Sequence, residues 1–242
     1  MPEYEEREYR KRVKVKDLIS FNVTVKETDL WVSTDRDLMK EAGDLVHTHR
    51  HQLETYIQSH PEFLTTLKSY PKDAFAPPIV KEMIESTHDI DVGPMASVAG
   101  AIAQFVSLGL LKITGQVIIE NGGDIFLKVN RKVTVSIFAG DSPLSEKIGL
   151  SIPPEKMPLG VCSSSGSVGH SLSMGSADVV CLLSPSAARA DGAATLLGNR
   201  VRTKTDLGRI GEWARRIGGI LGGVAIMDDR MASWGDIELV TI

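Results

Sequence analysis

The chain has 242 residues, 42% of them hydrophobic and 24% charged, with a formal net charge of −4. That size and balance suit one globular domain, or two small lobes sharing a core. An acidic chain without a concentrated basic face is a poor nucleic-acid binder, because phosphate neutralisation supplies most of that affinity.

Near the start, Arg7, Arg10, Lys11, Arg12, Lys14 and Lys16 are interleaved with Glu3, Glu5, Glu6 and Glu8, which reads as a solvated end. The opening residues are charged and lack an apolar run, so no export signal is expected. The longest mostly apolar stretch, 95–111, is interrupted by Ser97, Gln104 and Ser107 and is shorter than the ~20 residues a membrane span requires. It reads as a buried helix. Cys162 and Cys181 form neither a C-x-x-C pair nor a metal-ligand spacing. Two thiols without an export signal point to the reducing cytoplasm.

In chain order, rough alternation predicts a strand over 18–25, a turn at 27–29 and a second strand over 30–33. Leu38, Ala42, Leu45, Val46, His49, Leu53 and Ile57 recur at three- and four-residue steps, predicting an amphipathic helix over 35–59. Pro61 ends it, and a short helix within 61–69 and a longer one over 79–87 follow. A small-residue helix spans 95–110. Strands are expected over 115–120, 125–129, 133–139, 147–152 and 177–183. Helices are expected over 191–197 and 206–217, and strands over 224–227 and 237–241. Strands and helices without regular βαβ alternation favour an α+β fold. The chain reads as a single domain over 1–242, with residues 1–90 as a candidate N-terminal lobe and the motifs confined to 91–242.

Four segments are able to carry chemistry. In Asp91-Val92-Gly93-Pro94-Met95-Ala96-Ser97-Val98-Ala99-Gly100, Gly93 and Pro94 suit a helix start, whose free N–H groups and dipole attract anions. Tight core packing is the alternative. Asn121-Gly122-Gly123-Asp124 between two apolar runs is a hairpin signal, and its glycines would also let backbone touch a ligand while Asp124 accepts from it. The run from Ser163 to Ser171 includes Ser164, Ser165, Gly166 and His170; it offers donors to a phosphate and an imidazole for acid–base work, or is a polar loop. In Ala190-Asp191-Gly192-Ala193-Ala194-Thr195, Asp191 and Thr195 share a helical face and suit a hard cation such as Mg2+, or Asp191 caps a helix.

Other features have plainer readings. His47, His49 and His51 lack a carboxylate or cysteine partner and read as a surface helix. Trp31, Trp213 and Trp234 read as packing residues, and the cysteines as small buried hydrophobes. No P-loop, Rossmann fingerprint or G-x-S-x-G elbow occurs.

Taken in order, the four segments resemble the ApbE superfamily of FAD:protein FMN transferases, and the whole chain resembles its compact, uncharacterised cytoplasmic branch. The cues are the G-P-M-A helix start, the C-S-S-S-G-S-V-G-H-S-L-S-M-G run and W-G-D-I-E-L near the end. The resemblance implies an α+β fold of two similar lobes around a ligand cleft. It implies Mg2+ on Asp191 and Thr195. It further implies FAD or a related nucleotide held by Asp91, Gly93, Asn121, Gly122, Gly123, Asp124 and the Ser164-Ser165-Gly166 segment, with His170 near the catalytic histidine. The chain departs from the family pattern. Ser97 stands where the family has lysine, Pro94 where it has the second glycine, and no Asp-Pro follows His170.

Three functions are compatible with this pattern. One is Mg2+-dependent binding of a phosphorylated flavin or nucleotide, with transfer of an FMN or phosphoryl-linked group. Another is an intracellular sulfur-assimilation component in homocysteine or persulfide chemistry, using Cys162. The third is non-catalytic ligand binding. The expected partner is a small phosphorylated molecule, with neither nucleic acid nor membrane; assembly as a homo-oligomer is left open.

Overall fold

The computed structural model describes residues 17–165 and 175–242. β1 (Ile19–Val25) and β2 (Thr28–Thr34) form a hairpin closed by Lys26 and Glu27, with Lys26 at φ 53°. The polar pair Thr28 and Asp29 suggested a turn, yet both are buried in the ladder. Asp29 accepts from Asn22 Nδ2 (2.7 Å) and Thr24 Oγ1 (3.1 Å) across the hairpin.

α1 (Met39–Ser59) buries Ala42, Val46, Leu53 and Tyr56, the stripe its spacing predicted. It begins later than expected. Asp37 accepts from the Met39 N–H (3.1 Å), and Asp35 is drawn to the Thr114 hydroxyl (2.5 Å). α2 (Glu62–Thr65) and α3 (Pro78–His88) follow. A 3-10 turn over Pro94–Ser97 leads into α4 (Val98–Leu110), which buries Gly100, Ala101, Ile102, Ala103, Gln104, Val106, Ser107 and Leu110.

The remaining elements are β3 (Val117–Asn121), β4 (Asp124–Lys128), β5 (Val133–Ser136), β6 (Ile148–Ile152), β7 (Leu159–Ser164) and β8 (Val179–Ser184). After them come α5 (Ala187–Arg200), α6 (Lys204–Ala214), β9 (Gly222–Met227), β10 (Arg230–Gly235) and β11 (Glu238–Thr241). Eight strands form one antiparallel sheet in the order β1-β2-β3-β4-β7-β8-β9-β10, and β11-β6-β5 form a second, smaller one.

The helices pack on one face of the large sheet, over a core containing Leu30, Val32, Ile79, Met83, Phe126, Cys162 and Leu182. The small sheet covers the other face, where Leu127, Leu159, Val161, Val179 and Cys181 meet Leu150 and Ile152. Antiparallel sheets with helices segregated to one side make an α+β fold. Among the described residues no helix is long and apolar enough to cross a membrane.

Two strands were not expected. β7 reads L-G-V-C-S-S, whose glycine and serines look like a loop. It is nevertheless central, because Gly160 lets α5 lie against it: a Cβ there would sit 2.4 Å from Ala187 Cα. β10 is an edge strand with mostly exposed side chains, and only Ala232 and Trp234 turn toward the core, too short an alternation to read.

Candidate functional site

The helix-facing side of β3, β4 and β7 carries a polar cluster at one end. The hairpin loop between β3 and β4 is Gly122-Gly123, both at positive φ (69° and 102°), as a tight primed turn demands. It sets Asn121 opposite Asp124. Register places Cys162 beside Asp124 on the neighbouring strand, since Ile125 pairs with Val161. Ser164 lies two residues further along β7 on the same face.

α5 brings the second half. Ser186 caps it by accepting from the Arg189 N–H (3.1 Å), and Gln104 Oε1 accepts from the Ala187 N–H (2.7 Å). Gln104 and Ser186 both donate to Glu82 Oε1, at 3.2 and 2.6 Å. Sequence reasoning missed this network; a lone glutamine inside an apolar helix was its only signal. Asp191, Thr195 and Gly198 recur along α5 at helical spacing and share a face. Asp191 Oδ2 accepts from the Gly100 N–H (2.9 Å), and Gly198 lies beside Ser164 Oγ. Asn121 Nδ2 donates to Ala99 O (3.1 Å). The head of α4 is therefore gripped from both sides, and its anion-attracting N–H groups are engaged by the protein's own carboxylate.

Burial dominates the electrostatics. Desolvation pushes Asp191 up to about 7, although the Gly100 and Ala99 N–H groups pull the other way. Desolvation also pushes Asp124 well above the usual carboxylate range, and the charge of Asp191 adds to it. Desolvation, with these two carboxylates as further causes, pushes the Cys162 thiol up. Cys162 donates to Ala187 O at 3.2 Å.

The structure thus brings Asn121, Gly122, Gly123, Asp124, Ser164, Asp191 and Thr195 to one region. Ser165 follows, half-buried, at the end of β7. Asp91 points elsewhere: it is exposed, sits at φ 51°, and accepts from the Ser69 N–H (3.2 Å) and hydroxyl (3.3 Å). Gly93 is needed for packing, since a Cβ there would lie 1.9 Å from Thr66 O. Gly166 and His170 lie outside the described residues. His47 and His51 are exposed on α1, while His49 packs edge-on against Phe105 at 5.3 Å. Among the described residues no three His, Cys, Asp or Glu side chains are grouped to hold a metal ion by themselves.

This arrangement of an antiparallel sheet, one helical layer and a glycine hairpin beside buried carboxylates has the fold of a flavinyl transferase. The apo crystal structure of the flavinyl transferase ApbE from Pseudomonas stutzeri superposes with a TM-score of 0.60, covering 93% of this chain and 94% of its own, at 11% identity. The chain belongs to the ApbE-like family described as AbpE bacteria, whose model matches residues 10–211. Its relatives include a "UPF0280 protein" of Methanocella arvoryzae, 37% identical over 217 residues (89% of this chain, 88% of the relative). Another from Methanococcus vannielii is 42% identical over 187 residues, 76% of each chain.

Proposed function

We propose that this chain binds a flavin or related nucleotide through its phosphates together with Mg2+, and transfers an FMN or phosphoryl-linked group. The observation that carries this is the Asp191–Thr195 face of α5, laid over β7 and β4 in the region of Asp124. Mg2+ takes one or two carboxylates, keeps several waters and shares the remaining positions with substrate phosphates. A buried carboxylate with a hydroxyl one turn away fits that demand without a preformed cage. When bound, the cation would neutralise charge at a pyrophosphate. The protein's own part is to orient the phosphates on the Gly122-Gly123 backbone and Ser164, and to exclude water by burial.

The name of the Pseudomonas relative supports flavin as the ligand class. A cytoplasmic setting is in keeping with two free, buried cysteines. The sulfur-transfer reading gains nothing, because Cys162 is buried and its thiol is held protonated, the opposite of an activated nucleophile. Ser97 is spent internally, donating to Pro94 O at 2.8 Å.

Calorimetric titration with FAD, FMN and ADP, each with and without Mg2+, tests the proposal. Mg2+-dependent FAD binding that disappears in Asp191→Ala is expected. Absence of binding to all three ligands would overturn it. Mass spectrometry of candidate acceptor proteins after incubation with FAD then separates transfer from binding alone.

A further inference from the structure

Six cations and two acids lie between Arg200 and Arg216, so this stretch carries +4 in a chain of net −4, and the rest of the molecule carries −8. Both acids are spent. Asp206 accepts from the Thr203 hydroxyl (2.8 Å) in the cap of α6, and Glu212 pairs with Arg216 at 2.6 Å. Lys204 pairs with Asp228 and Asp229. Arg200 and Arg209 take a different partner: their guanidinium carbons lie over the ring of Trp213, 5.1 and 5.6 Å from its centroid. Arg209 and Trp213 are one turn apart on α6, away from its buried Leu207, Ile210 and Ala214, and Arg200 reaches the ring from the end of α5. Trp213 is half-buried against the helical core, which fixes the platform, while both arginines are exposed. Among the described residues neither arginine forms an ion pair.

Two like charges held on one indole make a concentrated positive surface, and a cation–π contact leaves most of a guanidinium's five N–H donors available. Those donors form a fork that matches a carboxylate. We propose that the Arg200–Trp213–Arg209 surface docks an acidic segment, a short run of Asp and Glu side chains, on a partner protein. Charge complementarity selects that occupant. A nucleic acid or an anionic membrane extends beyond the patch and meets a molecule of its own sign, whereas a short acidic run ends where the patch ends. The surface is distinct from the Asp191–Thr195 face, because Arg200 is nine residues from Asp191 on α5 and so turns to the opposite side of the helix. Docking here is independent of the function proposed above.

The test uses the full chain and a fluorescein-labelled octapeptide of alternating Asp and Glu, read by fluorescence anisotropy. Binding that weakens with added salt is expected. Arg200→Gln/Arg209→Gln should weaken it roughly ten-fold or more and leave the melting temperature nearly unchanged, because both side chains are exposed. Lys68→Gln/Lys72→Gln removes the same charge from exposed positions between α2 and α3 and should leave affinity within about two-fold. Absence of peptide binding would overturn the proposal. So would an equal loss in the two double variants, which would make net charge the cause. Tighter binding of a single-stranded DNA octamer, or of phosphatidylserine vesicles, than of the peptide would overturn it too. FAD binding with Mg2+ should be the same in the parent and in Arg200→Gln/Arg209→Gln; its loss in that folded variant would assign the arginines to the ligand site and sink the docking surface. If the parent binds the peptide but no flavin or nucleotide, the proposed function fails and this inference stands.

Discussion

Asp191 shows how one side chain serves two demands. It closes the head of α4 through the Gly100 N–H, and burial raises its pKa to about 7. A carboxylate whose folded pKa lies above its unfolded value binds more protons in the folded state. Its contribution to stability is therefore full below the unfolded value near 3.8 and is lost as pH rises toward 7. In chelator-treated protein, stability should fall across that window, by on the order of 2–4 kcal/mol. Asp191→Asn keeps an oxygen for Gly100 but cannot ionise, so it should flatten the slope. Urea denaturation at pH 4.5, 6 and 7.5 measures this, and an unchanged slope in the variant would assign the pH dependence to other groups.

Close approach is the governing fact for the elements. Ala187, at the start of α5, is wedged between Gly160 of β7 and Gly100 of α4. Added Cβ atoms would lie 2.4 Å from Ala187 Cα and 2.5 Å from Ala187 O respectively. Both contacts are backbone and cannot swing aside. Gly160→Val should cost about 1–3 kcal/mol or more through forced displacement of α5. Gly208 on α6 is exposed, with nothing within 4 Å of an added Cβ, so Gly208→Ala should stabilise by about 0.5–1 kcal/mol. Thermal melts of the two variants should shift in opposite directions.

For the whole molecule, Arg189 is the tie between layers. It is 8% exposed and donates to Ser86 O (2.7 Å) on α3 and Gly218 O (2.9 Å) before β9, while pairing with Asp89. Asp89 is largely exposed, so that ion pair adds little; the buried Ser86 carbonyl matters more. Arg189→Met should cost roughly 2–4 kcal/mol and leave Mg2+-dependent FAD affinity unchanged. A loss of affinity in a variant that remains folded would show that Arg189 reaches the ligand site as well.

Periodicity and turn chemistry are local, so α1, α3 and the Asn121–Asp124 hairpin were legible in the amino acids alone. The acidic balance and the order of four weak motifs were legible too, and that order carried the family. β7 and β10 were not, because a strand's glycine and serines declare themselves only against the helix that packs on them, and β10 turns only Ala232 and Trp234 toward the core, too short an alternation to read. Nor could the sequence say that Asp91 would turn outward to Ser69 or that Asp191 would seize the start of α4. Those outcomes follow from the sheet order, which sets β4 beside β7 and lays α5 across both. Contacts between residues sixty or ninety positions apart are decided by which layers bury one another, and only the assembled sheet places Asp124, Cys162 and Asp191 in one dry space where their charges interact.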